Sequence, residues 1–208
     1  MIEVARRIAA GASGGARYVL GLPAGRTPQS TIDDLAAMRL DLSGTEIVMM
    51  DEFVGADLCG RFGRAVGQRL GVHAVHVPSD PDAYEALIDD LGGIDLFVLA
   101  SGASDGHVAF NQPGTPLDSR TRVVLLAEPL RRDNLRTFPE LGSIDDVPTH
   151  GITIGLGTIV DASRSAVLLL LGPEKATSAR RVQATTTFDP DWPATVIHAC
   201  RNGEVIVA

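Results

Sequence analysis

The sequence lacks several features that would mark a specialised class, and each absence excludes something. Cysteine is scarce: Cys59 and Cys200 are the only two, far apart and not at metal-ligand spacing. That excludes a disulfide framework and makes a reducing compartment the expectation. Long apolar runs are missing as well. The longest, residues 166–171, falls far short of the roughly 20 residues that span a bilayer. Arg6 and Arg7 stand near the start, but no apolar stretch follows them before Gly11, so no signal peptide is expected. The reading is a cytoplasmic protein without membrane contact. Basic residues are outnumbered, 18 Lys and Arg against 26 Asp and Glu, for a formal net charge of −8. A nucleic-acid footprint needs clustered cations and is not expected. A small anionic substrate stays open, because a phosphate is held by local donors rather than by net charge.

What is present suits one globular domain over residues 1–208. A chain of this length with 45% hydrophobic residues buries enough surface to fold without a metal or a disulfide. Short β-branched runs alternate with stretches of helical spacing. Helices are expected at 1–10, 28–38, 61–70, 83–91, 129–137 and 174–184, with a short one at 194–200. Strands are expected at 17–22, 46–50, 94–100, 122–126, 151–155, 166–171 and 204–207. Residues 101–116, rich in Gly, Ser, Asp and Pro, read as a loop. This predicts an α/β fold: a single doubly wound, mostly parallel sheet with helices on both faces. Ligands in such sheets sit beyond the carboxyl ends of the strands, near a topological switch point. Four polar segments, 21–28, 51–55, 101–113 and 172–175, each follow a strand, so they are expected to converge on one edge.

Each segment has a chemical reading and a bland one. Residues 21–28, Gly-Leu-Pro-Ala-Gly-Arg-Thr-Pro, put Gly25, Arg26 and Thr27 between a strand and a helix, where backbone N–H groups approach an anion. Thr27 is placed to cap that helix and Pro28 suits its first turn; a plain strand-to-helix turn fits equally well. Lys175 falls in the first turn of another helix, where the dipole disfavours a cation, so either an anion lies near it or it is a solvated lysine. Asp51 and Glu52 close an apolar strand. Asp51 is a candidate base whose pKa burial would raise, or else a solvated strand end. Asp105 and His107 flank Gly106, and a histidine beside a carboxylate has a fixed tautomer and moves protons. Of five histidines, only His107 has such a setting. No spacing suits a metal site, and no Gly-x-Ser-x-Gly elbow points to a serine hydrolase.

Taken in order, the strings GLPAGRTP (21–28), MDEFVG (50–55), DLFVLASGASDGHVAFNQP (95–113), SRTR (119–122), VPTHGITIGLGTIVDA (147–162) and LLGPEKA (170–176) resemble the glucosamine-6-phosphate deaminase/isomerase family, whose superfamily includes 6-phosphogluconolactonases. The resemblance covers nearly the whole chain, and FNQP after DGHVA favours the deaminase branch. It implies a hexosamine 6-phosphate as substrate and a ketose phosphate plus ammonia as products, with no cofactor. Gly25, Arg26, Thr27, Arg136 and Lys175 would hold the phosphate. Asp51 would be the base moving a proton between C2 and C1, and His107, oriented by Asp105, would open the pyranose ring. Gln112 stands where the family carries glutamate; it would still hydrogen-bond to His107 but lend it no charge. Arg26 replaces a small residue, the segment after 51–55 is trimmed, and helices that follow the last strand in the family are not present. Val124 and Leu125 lack the polar groups of allosterically activated members, so no amino-sugar activator site is expected. The oligomeric state, monomer or small homo-oligomer, stays open. The alternatives are a lactonase or isomerase of a non-amino sugar phosphate, and a sugar-phosphate binder without catalysis.

Overall fold

The computed structural model describes residues 2–208, so Met1 of the first expected helix lies outside them. Helix α1 (Ile2–Ala12) leads to β1 (Tyr18–Leu22), α2 (Gln29–Met38), β2 (Thr45–Met49), β3 (Asp51–Phe53), α3 (Cys59–Leu70), β4 (Ala74–His76), α4 (Pro81–Asp90) and β5 (Leu96–Ala100). After a long loop come β6 (Arg122–Leu125), α5 (Glu128–Thr137), β7 (His150–Thr153), α6 (Leu156–Ala162), β8 (Ala166–Leu170), α7 (Ala176–Gln183) and β9 (Gly203–Val207).

Six strands pair in parallel in the order β4-β2-β1-β5-β8-β9. The central strands are apolar on both faces because helices cover both. Alternate side chains therefore divide between two cores. Leu20, Leu22, Ile47, Met49, Leu96 and Val98 pack with α1, α2, α3 and α5. Val19, Val48, Phe97, Leu99, Leu168 and Leu170 pack with α4, α6 and α7. The chain winds outward from β1 to β4, then returns to lay β5 on the other side of β1. That reversal makes the β1/β5 boundary the switch point, where a crevice opens beyond the strand ends.

The α/β class is as expected, but not every strand joins one sheet. β3, β7 and β6 form a separate antiparallel sheet. The transfer happens at Met50. Its N–H donates to Leu22 O at 3.3 Å, while its carbonyl accepts from Ile154 N at 2.9 Å. The next residue, Asp51, then pairs with Thr153. Asp51 thus sits where one sheet hands over to the other. Two further elements escape the sequence reading. β4 is three residues long and lies at a sheet edge, and α6 is built from Leu-Gly-Thr-Ile-Val-Asp-Ala, β-branched residues held helical by burial rather than by propensity.

Candidate active site

A cleft of about 460 Å³ opens at the β1/β5 switch point, lined by Arg26, Thr27, Asp51, His107, Arg136 and Lys175 among others. Six of the nine residues singled out from the sequence therefore share one cavity, although they come from five separate segments.

Asp51 is 7% exposed. Burial pushes its carboxyl up to about 7, against a hydrogen bond from Cys59; the neighbouring Glu52 raises it further and His107 lowers it. Glu52 does a different job from its neighbour. Its Oε1 accepts from Phe53 N (2.7 Å), Leu58 N (3.2 Å) and Cys59 N (3.2 Å), and its Oε2 from Gly60 N at 2.7 Å. Helix α3 has no side-chain cap of its own at Leu58, so Glu52 satisfies the orphan donors of its first turn and sits on the positive end of its dipole. The acidic pair thus splits into a helix cap and a buried carboxyl whose proton is exchangeable near neutral pH.

Asp105 lies behind His107 rather than in the cleft wall. Its Oδ1 accepts from His107 N at 3.1 Å and contacts Nδ1 at 2.7 Å. Burial works to raise the Asp105 pKa, but the hydrogen bonds and charge of His107 hold it below its ordinary value. A carboxylate acceptor at Nδ1 assigns the ring proton to that nitrogen and leaves Nε2 for the cleft. Gly102 makes this possible, since a Cβ there would come within 2.2 Å of His107 Nδ1.

The other end of the cleft is cationic. Lys175 is the only lysine in the chain, against 17 arginines. Burial lowers its pKa, partly offset by Asp133 and Glu174, while Arg26 adds to the lowering. Its ammonium donates to Ser101 O. Neither Arg26 nor Arg136 takes part in an ion pair among the described residues. Three cations, two of them uncommitted, are what a phosphate ester would meet.

Four expectations need correction. Gln112 makes no hydrogen bond to His107; its Nε2 donates to Leu125 O at 2.9 Å and its Oε1 accepts from Ala127 N at 2.6 Å. An amide pairs with both a carbonyl and an N–H, so Gln112 clips the end of β6 instead of serving the cleft. Gly25 lines an adjoining groove with Arg26 and Phe138; its φ of 104° and the Thr137 methyl, 2.8 Å from where a Cβ would sit, require glycine there. Thr27 does not cap α2, whose N-cap is Pro28 without a side-chain bond; the turn is closed by Gln29 N donating to Arg26 O. Lys175 lies in a 3₁₀ turn, Pro173–Lys175, just before α7. Cys59 and Asp133 also line the cleft and were missed. Asp133 was legible as the residue three before Arg136 on one helix face. Cys59 carried no signal, because its approach depends on how α3 packs.

Among the described residues no three His, Cys, Asp or Glu side chains gather into a metal-binding group, and no helix is long and apolar enough to cross a membrane. No protein-family model matches the chain. A glucosamine-6-phosphate deaminase of Beutenbergia cavernae is 36% identical over 209 residues, covering 91% of this chain and 78% of that protein. A deaminase of the same name from Exiguobacterium sp. is 38% identical, covering 90% and 76%. Among solved structures, a monomeric glucosamine-6-phosphate deaminase superposes with a TM-score of 0.84 at 30% identity, over 99% of this chain and 92% of that one. A 6-phosphogluconolactonase from Shewanella baltica superposes at 0.73 with 18% identity, covering 99% and 90%, a likeness of fold alone. With identity at this level across nearly its whole length, the chain belongs to the glucosamine-6-phosphate deaminase family.

Proposed function

We propose that the protein converts glucosamine 6-phosphate and water to fructose 6-phosphate and ammonia. The observation that carries this is the sharing of one cleft by a carboxyl poised near neutrality, a carboxylate-oriented histidine and three cations. Arg26, Arg136 and Lys175, together with Thr27, hold the phosphate. His107 moves a proton at the ring oxygen and opens the pyranose. Asp51 takes the proton from C2, leaving an enolamine, and returns it at C1. Water then adds at C2 and ammonia leaves, so atoms balance with proton transfers alone and no cofactor is invoked. Incubation with glucosamine 6-phosphate is expected to release ammonia and fructose 6-phosphate in equal amounts. Absence of both, with the phosphate ester still bound, removes deamination.

One observation favours a second reading. Gln112, occupied with backbone, lends no charge to His107, which suits a lactonase or an isomerase of a non-amino sugar phosphate. Gln112→Glu discriminates between the two. A carboxylate cannot donate to Leu125 O, so the side chain is released from its clip and is free to stabilise an imidazolium. Since acid–base help is typically worth ~10²–10⁴-fold, a deaminase weakened at this position is expected to gain at least tens-fold (~10-fold or more) in ammonia release. An unchanged rate favours the second reading.

A further inference from the structure

The N-terminus of α3 meets the cleft beside Asp51, and the contact made there has no part in the proton transfers above. We infer that Cys59 is a positioning residue for the reaction, its thiol donating a hydrogen bond that orients the Asp51 carboxylate and supports its charged form. This rests on reading Asp51 as the proton-transfer base.

Cys59 Sγ lies 3.2 Å from Asp51 Oδ1, both side chains are buried, and both line the cleft. The helix itself has nothing to offer Asp51, because Glu52 takes the N–H groups of Leu58, Cys59 and Gly60. Among the described residues no other hydrogen bond reaches the Asp51 side chain. The groups facing it are Glu52 on its own strand, His107 from the loop after β5, Tyr84 from α4 and Cys59 from α3. Tyr84 is already committed, its hydroxyl within 2.8 Å of Met49 O and 3.0 Å of His76 O. The thiol is therefore the one donor left. It also stays a donor: burial first, then the charges of Asp51 and Glu52, push the Cys59 pKa far up, so the sulfur keeps its hydrogen. A buried base with a single weak donor keeps a proton affinity above that of a solvated carboxylate and below that of a buried one with no donor at all.

Two measurements test this. In the first, Cys59→Ala is expected to move the acid limb of kcat/KM upward by about half a pH unit, a roughly threefold loss below the limb, with KM on the alkaline side unchanged. Cys59→Ser, whose hydroxyl is the stronger donor, is expected to move the limb the other way, and it carries the test should the alanine variant not fold. A limb that stays in place overturns the inference. The second measurement needs no turnover. The S–H stretching band of Cys59, separated from that of Cys200 by difference against Cys59→Ser, is expected to shift as Asp51 ionises and to stop responding in Asp51→Asn. If the band titrates in a protein without deaminase activity, the contact stands and the functional reading falls. If the enzyme turns over while the band ignores both pH and Asp51→Asn, the inference falls alone.

Discussion

Asp51→Asn is expected to lower kcat by about 10²–10⁴-fold while leaving KM for the sugar phosphate nearly unchanged. The carboxyl acts only when a proton moves, so its loss removes transition-state stabilisation and spares ground-state binding. A purely binding protein would show the same ligand affinity in both forms and no turnover in either, so steady-state kinetics beside calorimetric binding separates the two cases. The same substitution is expected to stabilise the protein at alkaline pH. The folded carboxyl has its pKa raised from its ordinary 3.8 to about 7, so between these values the folded state keeps a proton that the unfolded chain has released. Its stabilising effect is fully present below about pH 4 and is lost as pH rises through about 7. Above that, holding the charge costs at most about 4 kcal/mol, three pKa units at about 1.36 kcal/mol each. Asparagine never ionises and still accepts from Cys59. Thermal unfolding of Asp51→Asn at pH 8 should therefore lie above wild type, with the gap closing toward pH 4. A variant that unfolds earlier at pH 8 would mean that the buried charge is better solvated than its surroundings indicate.

Lys175→Ala is expected to raise KM by about 10–100-fold with a smaller change in kcat, the loss of one charge-assisted hydrogen bond to phosphate. Part of the effect arises in the free protein, because the ammonium also satisfies Ser101 O. Lys175→Arg separates the two contributions, since it keeps the charge and changes the shape. Arg136 is exposed and without an ion pair among the described residues, so Arg136→Ala should act on substrate binding with little cost in stability. Lys175 being the only lysine, amine-specific acetylation reaches no other side chain. Acetylated protein should reproduce the KM of Lys175→Ala, and substrate present during labelling should protect against it. An acetylated enzyme with unchanged KM would place the phosphate elsewhere.

Much of the scaffold was legible in the sequence because its signals are local. Residues 96–100 and 166–171 are unbroken apolar runs, which suit a strand covered on both faces, and β5 and β8 are found there. Gly and Pro marked the loops after them. Of the second sheet, β6 and β7 were legible as strands but assigned to the wrong partners, and β3 was read as a polar segment after β2, since pairing is decided at Met50 by hydrogen bonds to residues on either side of it. α6 was missed because its β-branched composition argues for a strand and only its burial overrides that.

At the site, residue type and position identified Asp51, His107 and Lys175 as candidates, and the motif order identified the family, through which Arg136 joined them. Charge state and contact were not there to be read. Which carboxylate of Asp51 and Glu52 would cap a helix and which would stay in a buried pocket depends on where α3 begins in space. That Gln112 would face Leu125 and Ala127 rather than His107 depends on the path of β6. Sequence alone determined the chemistry available to this protein, because the kinds of side chain and the hydrophobic periodicity are local properties of the chain. Tertiary structure decided which group carries a neutral-range proton and which is spent on backbone, because desolvation and hydrogen-bond partners belong to places in the fold and exist only once distant segments meet.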